Sequence, residues 1–169
     1  MAQGISISSQ CVEFIKEQLP DGGTILELGS GQGTVWLADL GYTMYSVENQ
    51  LEWCDKFPNH TTYINCKLKY YDDNYTAPPM VEQRAWFDPD DLFPNLPDSY
   101  DLILIDGPGG PFGRGGFLKH IDKFNTDVLM IFDDINRAAE SILMDMVSEY
   151  VDREYQLIDK YTGVIHGKS

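Results

Sequence analysis

Thr24-Ile-Leu-Glu-Leu-Gly-Ser-Gly-Gln-Gly-Thr34 is the stretch of sequence that decides the fold of this chain. It begins as a short apolar run and then breaks into glycines at positions 29, 31 and 33. A second apolar run ends in Glu48, about one βαβ unit later. In doubly wound sheets such glycines let the backbone approach a ligand, and a carboxylate after the second strand binds ribose hydroxyls. The stretch therefore predicts an α/β sheet that holds an adenosine-containing cofactor.

The spacing of the glycines separates two classes of cofactor. A dinucleotide-binding turn reads G-x-G-x-x-G, and its last glycine would fall where this chain has Thr34. The chain instead reads E-x-G-x-G-x-G from Glu27 to Gly33, which resembles motif I of the class I S-adenosylmethionine-dependent methyltransferases. The resemblance implies that Glu27 acts near the amino group of the methionine part of the cofactor. It implies that the cofactor lies against a turn made of Glu27, Gly29, Ser30, Gly31, Gly33 and Thr34.

The resemblance implies further cofactor contacts at the ends of the second and third strands. Glu48 would bind the ribose hydroxyls, unless it is simply a solvated carboxylate, and Asn49 would line the adenine side. The family often has an Asp after the third strand for the adenine amino group. Here that place holds Cys66 and Lys67, so we expect backbone groups of these two residues to supply the contact.

Strand and helix patterns alternate from residue 24 to residue 151, and two further strands close the chain. Alternation of this kind predicts a parallel sheet that is covered on both faces by right-handed crossovers. A terminal hairpin over 155–158 and 163–166 departs from the dinucleotide fold and is a feature of class I methyltransferases. We therefore expect a doubly wound, Rossmann-like methyltransferase sheet, mostly parallel with an antiparallel C-terminal hairpin. The remaining strands are predicted at 24–28, 43–47, 61–65, 100–105 and 127–132, with helices at 34–40, 51–57, 117–123 and 138–151.

The length of 169 residues predicts one domain over 1–169, with an N-terminal helix within 1–20. Residues 70–99 are predicted to form an irregular insertion, because prolines at 78, 79, 89, 94 and 97 exclude a long regular element. The insertion is rich in aromatic residues, which either wall an acceptor pocket or simply pack the loop. These residues are Tyr70, Tyr71, Tyr75, Trp86 and Phe87.

Three carboxylates follow two consecutive strands at the edge where open α/β sheets bind ligands. They are Asp106, Asp133 and Asp134. Carboxylates gathered in one place repel each other unless a proton, a hydrogen bond or a cation offsets the charge. The pattern resembles the metal-dependent O-methyltransferases, which implies a Mg²⁺ or other divalent ion that polarises the acceptor hydroxyl. The alternative is that Asp133 caps the next helix and Asp134 is solvated.

The segments 105–118 and 133–137, together with Val47-Glu-Asn49 and Trp53, resemble the glucuronoxylan O-methyltransferase-like group of small methyltransferases. This resemblance implies that Arg114 or Arg137 binds an anionic group on the acceptor, since a guanidinium fork pairs with a carboxylate or a phosphate. In a chain this acidic, the two arginines could equally pair with neighbouring carboxylates. The predicted catalytic residues are Asp106, Asp133 and Arg114.

The net charge of −15 repels phosphate backbones and argues on electrostatic grounds against a nucleic-acid partner. The longest apolar run, 128–132, is too short to span a bilayer, and no signal peptide pattern precedes the first helix. Three cysteines without C-x-x-C spacing are expected to be reduced thiols. Together with the short apolar run and the lack of a signal peptide pattern, this predicts a cytoplasmic protein.

The predicted function is S-adenosylmethionine-dependent O-methylation of a small-molecule or saccharide-like acceptor. Two alternatives stay open at this point. The chain could be a non-catalytic module that binds S-adenosylmethionine, or, against the evidence of Thr34 and the terminal hairpin, an NAD-dependent oxidoreductase.

Overall fold

The computed structural model describes residues 6–71, 84–109 and 111–169. Its helices are α1 Ser9–Gln18, α2 Gln32–Asp39, α3 Leu51–Lys56, α4 Pro89–Leu92, α5 Gly116–Lys119 and α6 Ala138–Val151. Its strands are β1 Thr24–Leu28, β2 Thr43–Glu48, β3 Thr62–Asn65, β4 Leu68–Tyr70, β5 Ala85–Phe87, β6 Leu102–Ile105, β7 Leu129–Phe132, β8 Tyr155–Leu157 and β9 Gly163–Ile165. None of the described helices is both long enough and apolar enough to cross a lipid bilayer.

Seven strands form the main sheet in the order β3-β2-β1-β6-β7-β9-β8. The first five are parallel to one another, whereas β9 is antiparallel to both β7 and β8. This arrangement confirms the predicted Rossmann-like methyltransferase fold with its antiparallel C-terminal hairpin. From β1 the chain adds β2 and then β3 toward one edge of the sheet. It then crosses back to β6 on the other side of β1, so the direction of winding reverses between β1 and β6.

The sheet has a hydrophobic core on each face, as the predicted two-sided cover requires. Alternate residues of β6 enter opposite cores: Ile103 and Ile105 join one cluster, and Leu102 and Leu104 join the other. This follows from the period of two in a strand, which sends successive side chains to opposite faces. Because both faces are covered, β6 and β7 are buried at every position.

The described part of 70–99 contains short elements that the sequence does not predict. Pro89 opens α4 at a position where its missing N–H costs no helical hydrogen bond, and the Asp88 side chain accepts a hydrogen bond from the Asp90 amide as the cap. Strand β5 pairs with β4 in a separate two-stranded sheet. The described part of the insertion is therefore less irregular than its proline content indicates.

Trp86 and Phe87 in β5 are fully buried, so these two aromatic residues belong to the core and do not wall a pocket. A Cβ at Gly116 would lie only 2.1 Å from Trp86 Cγ, which shows how closely α5 packs on the indole ring. His120 stacks on the same ring at 5.6 Å between centroids, and burial lowers the pKa of this histidine. Tyr70 is exposed, and Tyr75 lies outside the described residues.

Candidate functional site

A polar cleft opens at the carboxyl edge of the parallel strands, where the winding reverses between β1 and β6. Open α/β sheets bind their ligands at such a switch point. The cleft has a volume of about 160 Å³, which is below the roughly 300–1,000 Å³ of typical small-molecule sites. The described residues that line it are Gly29, Ser30, Glu48, Asn49, Gln50, Trp53, Asp106, Pro108, Gly109, Arg114, Asp134 and Arg137.

The base of the cleft is formed by two loops that touch. Gly29 has a φ of +96°, and a Cβ there would lie 2.8 Å from the Cα of Gly107 in the loop after β6. The reverse also holds, since a Cβ on Gly107 would lie 2.7 Å from the Cα of Gly29. A side chain at either position would therefore push the loops apart. The sequence motif points to Gly29, but the need for glycine at 107 becomes visible only in the structure.

The other two glycines of the motif have different surroundings, and neither lines the cleft among the described residues. Gly31 caps α2 in an extended conformation that any residue can adopt, and its N–H donates to Thr34 Oγ1 at 3.1 Å. A Cβ on Gly33 would lie 2.9 Å from Ile7 Cγ1, so this glycine lets the segment before α1 pack against α2. The structure thus places one of the three motif glycines at the cleft surface.

Glu27 lies beneath the glycine turn and is only 1% exposed. Its Oε2 accepts hydrogen bonds from Thr34 Oγ1 at 2.7 Å and from Ser46 Oγ at 2.6 Å. Burial raises the pKa of Glu27 to about 7, although both hydroxyls favour the charged form. Glu27 and Thr34 do not line the cleft in the described part of the chain. Together they support the turn from below, because Thr34 connects Glu27 to the Gly31 amide.

Glu48 places its carboxylate in the cleft, and it is held by four hydrogen bonds. Oε2 accepts from the Ser30 amide at 3.0 Å and from the Ser30 hydroxyl at 2.9 Å. Oε1 accepts from the amides of Asn49 and Gln50 at 2.8 and 2.9 Å. A carboxylate that joins the loops after β1 and β2 in this way is not a solvated surface group. Its orientation is fixed before any ligand arrives.

The backbone amides of Cys66 and Lys67, which were predicted to contact a cofactor, donate hydrogen bonds within the protein instead. The Cys66 amide donates to Glu48 O at 3.0 Å, and the Lys67 amide donates to Asp91 Oδ2 at 3.0 Å. Neither residue belongs to the described lining of the cleft. The sequence could not indicate this, because Asp91 comes from α4, in the segment predicted to be irregular. After β2 the residues that line the cleft are instead Asn49, Gln50 and Trp53, of which only Asn49 is a predicted site residue.

The three carboxylates after β6 and β7 come together as predicted. One oxygen from each of Asp106, Asp133 and Asp134 lies within 4.8 Å of the others. Burial, followed by the charge of Asp133, raises the pKa of Asp106 well above its ordinary value. Burial, followed by the charge of Asp134, likewise raises the pKa of Asp133. Asp106 and Asp134 face the cleft, whereas Asp133 is buried behind them.

Arg114 supplies positive charge to this cluster from within the protein. Its Nη1 donates to Asp133 O at 2.9 Å, and its Nη2 donates to Asp134 Oδ2 at 2.8 Å and lies 3.6 Å from Asp106 Oδ1. Arg137 pairs with the same Asp134 oxygen and with Glu140. The sequence left two roles open for these arginines, binding an anionic acceptor group or pairing with neighbouring carboxylates. In the structure both arginines pair with neighbouring carboxylates.

The cluster offers the oxygen donors that Mg²⁺ prefers, but its geometry does not suit a divalent ion. An ion between Asp106 and Asp134 would meet the Arg114 guanidinium, which already lies at hydrogen-bonding distance from Asp134. Two cations cannot share this space without strong repulsion. The metal ion stays a prediction of the sequence, and no catalytic step is derived through it.

The chain has a Rossmann-like methyltransferase fold with a polar cleft at the switch point of the sheet. No protein-family model and no curated protein sequence matches the chain. Among solved structures it is similar to precorrin 8W decarboxylase from Methanobacterium thermoautotrophicum, with a TM-score of 0.51 and 14% identity over 94% of this chain and 90% of that one. It is also similar to TehB from Haemophilus influenzae, with a TM-score of 0.47 and 15% identity over 96% of this chain and 63% of that one. At such identity the likeness to the decarboxylase shows a shared fold alone.

Proposed function

We propose that this chain is an S-adenosylmethionine-dependent methyltransferase that methylates an oxygen atom of a small or saccharide-like acceptor. One observation carries the proposal: Glu48, the Gly29-Ser30 turn and Asp106 line a single cleft at the switch point of the sheet. A ribose-binding carboxylate, a close backbone approach and an acid near the reacting end are the three features that this chemistry needs in one place.

The cofactor half of the cleft is built by the loops after β1 and β2. The Glu48 carboxylate, which now accepts from the Ser30 hydroxyl, would accept from the ribose hydroxyls. Asn49, Gln50 and Trp53 would hold the adenine ring, and the indole offers an apolar face for stacking. Gly29 and Ser30 would hold the methionine part. The cofactor supplies an electrophilic methyl group bound to a sulfonium.

At the acceptor half, the chain's own residues orient the nucleophile and take up its proton. Transfer would form a bond between the acceptor oxygen and the methyl carbon and would break the carbon–sulfur bond, whose electron pair would stay on sulfur. Asp106 in its carboxylate form accepts the hydroxyl proton, and burial, which raises the pKa of this carboxyl, makes that carboxylate a stronger base than an ordinary aspartate. Arg137, at the exposed side of the cleft, binds an anionic or polar group of the acceptor. Holding the two reactants in line supplies much of the rate enhancement.

The first experiment measures cofactor binding by isothermal titration calorimetry with S-adenosylmethionine, S-adenosylhomocysteine and NAD. We expect the two adenosylated sulfur compounds to bind and NAD not to bind. Glu48→Gln weakens S-adenosylmethionine binding about 10- to 100-fold, since hydrogen bonds to a charged group are worth about 1.5–3 kcal/mol. The matched control is Glu52→Gln, at an exposed acid on the neighbouring α3, which leaves affinity unchanged.

Failure of S-adenosylmethionine to bind at millimolar concentration, or equal affinity in the Glu48→Gln and Glu52→Gln variants, would refute the cofactor assignment. Turnover is measured separately, as S-adenosylhomocysteine released over a panel of hydroxylated acceptors with native protein and with Asp106→Asn. Release that depends on an acceptor and falls in Asp106→Asn supports catalysis. Tight binding without release over the whole panel would mean that the chain is a non-catalytic binding module.

A further inference from the structure

We infer that Arg114 is a positioning residue whose guanidinium takes the place of a metal ion in the Asp106–Asp133–Asp134 cluster. Its role in holding Asp106 for catalysis rests on the proposed function, but its role as the resident cation does not. The inference concerns the loops after β6 and β7, which meet at the acceptor half of the cleft. The inference assigns a function to the buried Arg114 guanidinium, which the fold alone does not require.

The contacts of Arg114 are those of a bridging cation. Its two terminal nitrogens reach Asp133 O, Asp134 Oδ2 and, at 3.6 Å, Asp106 Oδ1. One side chain thus connects both strand ends that carry the acidic residues. A divalent ion in an O-methyltransferase site would make the same connection through carboxylate oxygens. Here the connection comes from a residue in the segment between β6 and α5.

Burial makes the guanidinium difficult to displace. Arg114 is only 3% exposed, and its Nε is buried without a hydrogen-bond partner in the described part of the chain. Removing a guanidinium from water costs several kcal/mol, so the group is stable there only while the carboxylates surround it. An incoming ion would compete for these same carboxylates and would leave the guanidinium buried without them. The cluster therefore excludes a divalent ion as long as Arg114 is present.

The charges of the cluster agree with this role. Three carboxylates face two guanidinium groups, those of Arg114 and Arg137, and Arg137 also pairs with Glu140. Arg137 is 42% exposed, whereas Arg114 is enclosed. Only the Arg114 side chain is therefore held in a fixed position by its surroundings. Arg137 is consequently the natural control: it has the same chemistry and shares the Asp134 oxygen, but it lies at the open side.

The test compares the native chain with Arg114→Met, Arg114→Lys and Arg137→Met in EDTA, MgCl₂ or MnCl₂. Melting temperature and Mn²⁺ binding by calorimetry are the readouts. We expect the native chain and Arg137→Met to bind no Mn²⁺ and to show equal melting temperatures in EDTA and in Mn²⁺. Arg114→Met melts lower by about 10 °C in EDTA, because the carboxylates lose their cation. Millimolar Mn²⁺ restores part of that loss, since the vacated cluster now accepts an ion. Arg114→Lys keeps the charge and stays insensitive to Mn²⁺.

One-to-one binding of Mn²⁺ by the native chain, lost in Asp134→Asn, overturns the inference. So does an Arg114→Met variant that is as stable in EDTA as Arg137→Met. If Arg114→Met does not fold, the native titration and Arg114→Lys decide the question. S-adenosylmethionine affinity is measured on the same samples. If S-adenosylmethionine does not bind, the proposed function fails, but the assignment of Arg114 as the resident cation stands. If Mn²⁺ binds to the native chain, that assignment fails and the proposed function stands.

Discussion

Glu27 illustrates how a single residue can be predicted in position but not in surroundings. The motif places an acid two residues before the first glycine, and the resemblance implies a contact with the cofactor. In the structure its carboxylate lies below the turn and is bonded to Thr34 and Ser46. Ser46 comes from β2 and has no part in the motif. A buried carboxylate between two hydroxyls is therefore a product of the β1–β2 pairing, which places Glu27 opposite Ser46.

This environment predicts a pH-dependent stability. The pKa of Glu27 rises from an ordinary 4.5 to about 7 because the side chain is buried. Between these values the folded chain holds a proton that the unfolded chain releases, so the free energy of unfolding falls as pH rises toward 7. Glu27→Gln stays neutral and lacks that fall. We expect its stability relative to the native chain to improve from pH 4.5 to pH 8, by on the order of 3 kcal/mol at most.

Urea unfolding at a series of pH values measures this difference. Glu17→Gln is the control, because Glu17 is exposed on α1 and loses the same charge. If the stability difference between Glu27→Gln and the native chain is constant across this range, the carboxyl of Glu27 is not the group that titrates.

At the scale of elements, the contact between the loops after β1 and β6 determines the base of the cleft. Gly29 contributes a positive φ and a close approach to Gly107, whereas Gly41 after α2 has a φ of +98° with nothing within 4 Å of an added Cβ. Gly41→Ala should therefore cost about 1–2 kcal/mol from backbone strain alone. Gly29→Ala should cost about 1–3 kcal/mol more, because the methyl group forces the two loops apart.

Free energies of unfolding from urea titration separate the two contributions. S-adenosylmethionine affinity is expected to fall in Gly29→Ala and to stay unchanged in Gly41→Ala, which lies outside the described cleft. Equal destabilisation by the two substitutions would mean that the loop contact contributes nothing beyond the conformation of the glycine.

Elements of the main sheet could be predicted, because each has an apolar run bounded by glycine, proline or polar residues. The β4–β5 ribbon could not, because each strand has only three residues and the pairing brings together residues far apart in sequence, such as Leu68 and Phe87. Burial of Trp86 depends on the fit of its ring against Gly116, and no local sequence pattern predicts this contact.

At the scale of the whole molecule, charge is the property with the widest consequences. The chain has 27 acidic and 12 basic residues, and both arginines at the cleft are paired with carboxylates. We expect no binding of labelled single-stranded or double-stranded DNA or RNA, measured by fluorescence anisotropy at about 50 mM salt, where phosphate contacts are strong. The measurement is repeated with S-adenosylhomocysteine present. An anisotropy increase that disappears as salt is raised would contradict this prediction and would restore nucleic acid as an acceptor.

The candidate site shows the same division between sequence and structure. Gly29, Ser30, Glu48, Asn49 and Asp106 are predicted site residues that do line the cleft, because each lies at or just after the carboxyl end of a strand of the parallel sheet. Gly31, Gly33, Glu27 and Thr34 belong to the same motif but support the turn from behind. Gln50, Trp53, Pro108 and Gly109 line the cleft without having been predicted as site residues. Gln50 directly follows the predicted Asn49, and Pro108 and Gly109 lie in the loop that begins at Asp106.

The sequence by itself determined the order of the main-sheet strands and of the helices between them, the mostly parallel sheet with its terminal hairpin, and the edge of that sheet where the predicted site residues lie. These features depend on local periodicity and on glycine positions, which a single stretch of chain contains. Only the tertiary structure decided which charges meet. Arg114, Asp106 and Asp134 come from different segments, and whether a guanidinium or a metal ion neutralises the carboxylates depends on distances and burial that no spacing in the sequence encodes.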